Sequence, residues 1–230
     1  MKGKLYGVGV GPGDPELITI KALRLTKEAD LLAFPGEDPE ESVAYKIMKG
    51  AYPEISFKEK ISLPMPMTKE KEELKQVHDE GARIICSYLD QGKNVVFLTL
   101  GDPTVYSTYL YIHKRVRNKG YETEIISGIP SFCAVSARLN EGLVEKAQQL
   151  HVIPASYQIA EALELPGTKV LMKAGKKIQD VKEMLKVSGK NAVMIQNCGM
   201  PDEKIYRTVE EIPEDAGYYS LIIVKEKEEL

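Results

Sequence analysis

Short apolar runs that end in glycine-rich loops, separated by amphipathic stretches, constrain what this chain can fold into. Lys4 to Val10 reads as a strand and runs into GVGPGDP. The continuous apolar segment Asn94 to Leu100 runs into GDPTVYS, and Glu122 to Ile126 runs into SGIPS. Strand, loop and helix repeated in that order are the signature of βαβ units and a parallel sheet. Thr19 to Lys27 reads as the first helix, and Asp30 to Phe34 as a further strand ended by Pro35 and Gly36. The clearest helix carries Leu74, Val77, Gly81, Ile84, Ile85, Tyr88 and Leu89 on one face, with Thr68 as its cap and Gly92 as its stop.

The pattern changes in the second half. Strands are expected around Leu150 to Ile153, Lys169 to Lys173, Ala192 to Gln196 and Leu221 to Lys225, with a short EKIYRT segment and hairpin-length connections among the later ones. The expected fold class is therefore α/β in two domains: residues 1–118 with a mainly parallel sheet and helices, and residues 119–230 with a mixed sheet containing antiparallel pairs. The boundary is placed in VRNKG, because strand, loop and helix begin afresh after it. KEKEEL at the end reads as a frayed charged tail.

Composition narrows the function. At 230 residues and 43% apolar, the chain can bury a core. No apolar run approaches a membrane span, and the start MKGKLYGVGVG reads as a strand rather than a signal peptide, so the cytoplasm is the expected location. A net charge of −3 argues against broad electrostatic binding to nucleic acid or an anionic membrane. Cys86, Cys133 and Cys198 are far apart and have only three histidines to join them, so neither a disulfide framework nor a protein-held metal is expected.

Loops that follow parallel strands are where open α/β sheets bind ligands. GVGPGDPELIT misses GxGxxG in both registers, with Pro12 or Asp14 in the last place, and GKS or GKT occurs nowhere. A glycine loop with prolines and an acid suits a zwitterionic or cationic ligand better than a pyrophosphate. Taken singly, Gly11, Gly13, Gly101 and Gly128 read as turn glycines, but the tripeptide GDP occurs twice, at Gly13 to Pro15 and Gly101 to Pro103, each time just past a strand. Ser131 lacks the second glycine of a nucleophile elbow, and His78, His113 and His151 read as structural or surface residues.

Together GVGVGPGDPELITIKAL, LTLGDPTVYS, SGIPSFCA and YYSLIIV resemble the tetrapyrrole methyltransferase family from one end of the chain to the other. The combination of GDPTVYSTY, SGIPSF, VLMKAG and GMPDEKIYRT looks most like its C(20)-methyltransferases of precorrin-2 and cobalt-factor II, on the route to vitamin B12. The resemblance implies two α/β domains with a cleft between them, a homodimer, and S-adenosylmethionine held in that cleft. It assigns cofactor contacts to Pro12, Leu100, Gly101, Asp102, Val105, Tyr106, Ser131 and Phe132, and in the second domain to Lys173, Asn197 and Ser220. It implies no catalytic triad, since the sulfonium methyl is already activated and a reduced tetrapyrrole carbon is itself nucleophilic. Any cobalt belongs to the substrate.

A polycarboxylate substrate needs cations, and Lys21, Arg24, Arg115, Arg117, Arg138, Lys173, Lys176 and Lys177 are the candidates, with Lys176 and Lys177 best placed after the VLMKAG strand. Tyr106, Tyr109 and Tyr111 read either as a stacking surface or as helix packing, and PMPM at Pro64 to Met67 as a cleft rim or a connection. Within the same fold, uroporphyrinogen III, diphthamide precursors or ribosomal RNA remain alternative substrates. A non-catalytic cofactor-binding module is the alternative from another class.

Overall fold

The computed structural model describes residues 1–66, 68, 70–154 and 159–226, without the side chain of Lys176. They form two compact units, Met1–Pro130 and Ser131–Leu230.

The first unit runs β1 (Leu5–Gly9), α1 (Ile20–Glu28), β2 (Leu31–Pro35), α2 (Val43–Ala51), β3 (Lys60–Leu63), α3 (Lys71–Asp90), β4 (Val95–Thr99), α4 (Tyr109–Asn118) and β5 (Thr123–Ile126). Its strands lie in the order β3-β2-β4-β1-β5, all parallel, as the alternation predicts. All of β4 is buried. Val96 and Leu98 pack with Ala22 and Leu25 of α1 and with Tyr45 and Met48 of α2, while Val95 and Phe97 pack with Ile85 and Leu89 of α3 and Ile112 of α4. Helices cover both faces because the right-handed crossover after β1 leaves towards β2, whereas the one after β4 leaves the opposite way, towards β5. The carboxyl ends of the neighbouring strands β1 and β4 are thus a topological switch point.

Two expectations are corrected here. Thr68 does not cap α3: it lies three residues before the helix starts, its hydroxyl accepts the Glu70 N–H at 3.1 Å, and Glu70 occupies the cap position. The division between the units also falls later than residue 118. β5 pairs with β1, from Leu5↔Thr123 to Val8↔Ile126, and so completes the first sheet instead of opening the second. Strand, loop and helix look alike in sequence whether they extend an existing sheet or begin a new one.

Edge strand β5 carries Glu124, which accepts from Lys21 at 2.7 Å and from Lys4 at 2.8 Å. These two ammonium groups hold its carboxyl down at about 2. A depressed folded-state value stabilises above the ordinary value of 4.5 and loses that contribution as pH falls towards 2. The carboxylate is a third exposed, so screening reduces the effect to about 0.5–1 kcal/mol. Denaturant unfolding should therefore show wild type losing that much more stability than Glu124→Gln between about pH 5 and pH 3. Parallel losses in the two proteins would exclude it.

The second unit contains α5 (Ser131–Leu139), β6 (Leu150–Pro154), α6 (Ile159–Leu163), β7 (Thr168–Met172), α7 (Ile178–Ser188), β8 (Asn191–Gln196), β9 (Lys204–Tyr206) and β10 (Ser220–Lys225). The strand order is β6-β7-β10-β8-β9; only β6 and β7 run parallel, so the sheet is mixed, as expected. Leu171, Met194 and Ile222 face α6 and α7, and Val170, Ile195 and Leu221 face Val135 and Leu139 of α5. Because β10 runs against both neighbours, with Leu221 opposite Met172 and Ser220 opposite Gln196, its first residue lies beside the last residues of β7 and β8. The C-terminal KEKEEL, apart from its first two residues, and Met67 of PMPM lie outside the described residues. Among the described residues, no helix is long and apolar enough to cross a membrane, and no group of three or more His, Cys, Asp or Glu is placed to hold a metal.

Candidate functional site

At the switch point, three strand-end loops are drawn together by their glycines. Gly11 and Gly101 pair across β1 and β4, with the Gly101 N–H donating to Gly11 O at 2.8 Å and the Gly11 N–H to Gly101 O at 3.3 Å. Gly9 and Gly128 close in on the same carbonyl: a Cβ at Gly9 would lie 2.4 Å from Gly101 O, and one at Gly128 only 2.2 Å. No side chain fits there. Gly101 itself has φ +68, and its Cβ position has nothing within 4 Å. Backbone bordered by open space is therefore presented at this one point of the cluster.

The two GDP tripeptides fold alike. In each, the aspartate Oδ1 accepts the N–H two residues on, Asp14 from Glu16 and Asp102 from Thr104, both at 2.8 Å, with proline in between. They diverge in reach. Asp102 is 6% exposed, and its second oxygen accepts the Gly128 N–H at 3.0 Å, so this carboxylate ties the β4 loop to the β5 loop. The hydrogen bonds described for this carboxylate go to the protein's own loops, at Thr104 and Gly128.

Beyond Asp102, Val105 N–H donates to Asp102 O at 3.2 Å, and the Ser107 hydroxyl meets Thr99 at 2.9 Å and accepts the Tyr109 N–H at 3.3 Å. Between these fixed points Tyr106, 44% exposed, is held at φ +50, a conformation that costs a bulky residue on the order of 1–3 kcal/mol. Pro12 is buried beside Gly11, and Leu100 packs against the α1–α2 side of the sheet. In the first unit, then, Pro12, Leu100, Gly101, Asp102, Val105 and Tyr106 all belong to the loops after β1 and β4.

In the second unit, Lys173, Asn197 and Ser220 gather at one sheet end. Lys173 follows β7, Asn197 follows β8 and donates its N–H to Tyr219 O at 3.0 Å, and Ser220 opens β10 with its hydroxyl bonded to Gly217 O at 2.8 Å. The Lys173 ammonium lies 5.7 Å from the Tyr218 ring centre. Ser131 and Phe132 form the first turn of α5, with Phe132 packed on the α5 side of this sheet. Lys173 and Asn197 have φ +60 and +54. Of the five described non-glycine residues with positive φ, three are therefore among the expected cofactor positions, and strained backbone of this kind collects at functional sites. Residue type alone gave no sign of it.

A sequence model of the Tetrapyrrole (Corrin/Porphyrin) Methylases matches residues 4–213. The chain belongs to this family. Its relatives include the probable cobalt-precorrin-2 C(20)-methyltransferase of Methanocaldococcus jannaschii, 33% identical over 227 residues that cover 96% of each chain. The cobalt-precorrin-2 C(20)-methyltransferase of Salmonella typhimurium is 32% identical over 235 residues, 99% of this chain and 98% of that one. Among solved structures, uroporphyrin-III C-methyltransferase of Thermus thermophilus, complexed with S-adenosylhomocysteine, superposes with a TM-score of 0.71 at 22% identity, covering 97% of this chain and 98% of that one.

Several side chains expected to meet substrate on this tetrapyrrole methylase have other employment. Lys21 pairs with Glu124, Arg24 with Glu28, Arg115 with Asp79 and Arg138 with Glu203, all at 2.5–2.7 Å. Arg117 and Lys177 are exposed. Tyr109 is fully buried, its ring in the space left by Gly7 and against Phe97, and its hydroxyl 3.0 Å from His113 Nδ1. Burial pushes that phenol well above its ordinary range. Tyr111 stacks on His78 with ring centres 4.6 Å apart, and His151 Nε2 sits 2.9 Å from Pro166 O. Desolvation pushes the buried His78 and His113 below the ordinary value. Of the aromatic set, only Tyr106 belongs to the loop cluster.

Proposed function

We propose that this tetrapyrrole methylase transfers a methyl group from S-adenosylmethionine to carbon 20 of cobalt-factor II (cobalt-precorrin-2) or of precorrin-2, in cobalamin biosynthesis. The reading rests on end-to-end similarity to two enzymes named for that reaction, at 33% and 32% identity. The S-adenosylhomocysteine complex of the Thermus thermophilus neighbour supports the choice of methyl donor. We further propose that the enzyme works in the cytoplasm as a homodimer, and that cobalt enters only as part of the substrate.

The loops fit such a ligand. Gly101 leaves open space beside its backbone, and the strained, half-exposed Tyr106 stands a few residues further along the same tied loop. S-adenosylmethionine supplies an activated methyl group. The residues Pro12, Leu100, Gly101, Asp102, Val105 and Tyr106, with Ser131, Phe132, Lys173, Asn197 and Ser220, hold and orient it, and Asp102 also keeps two of the loops in register. Carbon 20 attacks the methyl carbon in line, the sulfonium–methyl bond breaks to leave a neutral thioether, and the substituted carbon gives up its proton. Reacting atoms held at roughly 3–3.5 Å and kept from water account for most of what the protein must do. With Lys21, Arg24, Arg115 and Arg138 engaged in ion pairs, an RNA substrate has little in its favour.

The test is an anaerobic assay of purified protein with S-adenosylmethionine and either cobalt-loaded or metal-free substrate. The expected product gains one methyl group at carbon 20, and turnover is faster with the cobalt-loaded substrate. Failure to methylate either, by a protein that binds the cofactor, overturns the substrate. Methylation at another carbon overturns the regiochemistry.

A further inference from the structure

The loop after β8 carries Asn197, and something must hold it in its unusual shape. Asn197 has φ +54 and Gly199 φ +76, so two left-handed residues stand within three positions. The Met200 N–H donates to Asn197 O at 2.9 Å, and the Glu203 N–H to Met200 O at 3.1 Å. The Asn197 side-chain amide donates to Asp202 at 2.6 Å. One carboxylate then closes the loop from below. Glu203 Oε2 accepts the Gly199 N–H at 2.8 Å, and Glu203 Oε1 accepts Arg138 Nε of α5 at 2.7 Å.

We infer that Glu203 is a positioning residue for cofactor binding, fastening the Asn197 loop to the helix whose first turn carries Ser131 and Phe132. The inference rests on the reading that these residues hold S-adenosylmethionine. Its two bonds contribute unequally. Arg138 is 58% exposed, so its ion pair is screened by water, whereas the Glu203 side chain is only 14% exposed and its bond to Gly199 is local and charge-assisted. The Gly199 bond therefore sets the loop shape, and the Arg138 bond sets where the loop sits relative to α5. Both change cofactor affinity without touching the reacting atoms. GMPDEKIYRT, singled out in the sequence for its resemblance alone, thereby acquires a physical function.

The experiment compares wild type, Glu203→Ala, Glu203→Gln and Arg138→Ala by calorimetric binding of S-adenosylhomocysteine, steady-state kinetics and thermal unfolding. Glu203→Ala should raise Kd about tenfold, equivalent to roughly 1.4 kcal/mol. KM for S-adenosylmethionine should rise with it, while kcat stays within about twofold, the pattern of lost ground-state binding. Glu203→Gln can still accept the Gly199 N–H and should recover most of the affinity; Arg138→Ala should show a smaller change in the same direction. Unchanged Kd in a Glu203→Ala protein that merely melts earlier overturns the inference, as does a glutamine variant no better than alanine. If Glu203→Ala does not fold, the same comparison runs between Glu203→Gln, Arg138→Ala and wild type, and wild-type affinity in both overturns it. Wild-type protein that binds no S-adenosylhomocysteine overturns the cofactor reading, and this inference with it.

Discussion

Gly128→Ala is expected to be among the most damaging single-methyl additions to this fold. The added carbon would lie 2.2 Å from Gly101 O and 2.8 Å from Gly9 C, all main-chain atoms that no rotamer change can clear. Gly101 O is itself bonded to the Gly11 N–H, and the Gly128 N–H to buried Asp102. Relief of the clash must therefore open the β1, β4 and β5 loops together. Overpacking against backbone costs about 3 kcal/mol, at the top of the usual range. For a chain of this size that is a fall of roughly 6–12 °C in melting temperature. Gly142→Ala, whose new carbon would meet nothing nearer than 3.6 Å, is the control and should melt with wild type. Calorimetric unfolding of the two variants decides the matter: a Gly128→Ala midpoint within about 2 °C of wild type would mean that the loops are not locked together.

That lock explains how much of the site could be read from residues and how much could not. Glycine at the ends of β1, β4 and β5 is visible in sequence, and so is the doubled GDP. What glycine is for is not visible. Gly7 makes room for the Tyr109 ring, Gly9 and Gly128 make room for a carbonyl, and Gly101, unlike these three, borders open space. The bond from Asp102 to Gly128 spans the whole of α4 and β5, and nothing near Asp102 in the chain announces it. Lys21 and Arg138 likewise look like unattached cations until Glu124 and Glu203 arrive from distant strands and loops.

The fold was more legible than the site, because burial on both faces of a parallel strand leaves an unbroken apolar run such as VVFLT. Short or partly exposed elements were harder. The edge strand β3, helix α2 and helix α7 gave no pattern strong enough to place in advance. Local periodicity does not reveal that β5 belongs to the first sheet, since pairing with β1 is a long-range choice that it does not encode. Left-handed Tyr106, Lys173 and Asn197 were identified by family resemblance alone, because residue type does not reveal φ at a non-glycine position.

Gly101→Asn separates the two meanings that a glycine at this position can have. With φ +68, Gly101 sits where an L side chain with a branched Cβ is strained by roughly 1–2 kcal/mol, so valine would lower stability whether or not a ligand binds there. Asparagine tolerates the left-handed region, and its Cβ would meet no protein atom within 4 Å. It therefore fills the space beside the backbone while leaving the turn intact. If S-adenosylmethionine occupies that space, Gly101→Asn should melt within about 2 °C of wild type yet bind S-adenosylhomocysteine at least about thirtyfold more weakly, roughly 2 kcal/mol. Gly101→Val should show the same loss of affinity together with a lower melting temperature. An asparagine variant that keeps wild-type affinity would reduce Gly101 to a residue needed only for its backbone angle, and the cofactor would have to be sought elsewhere on the chain.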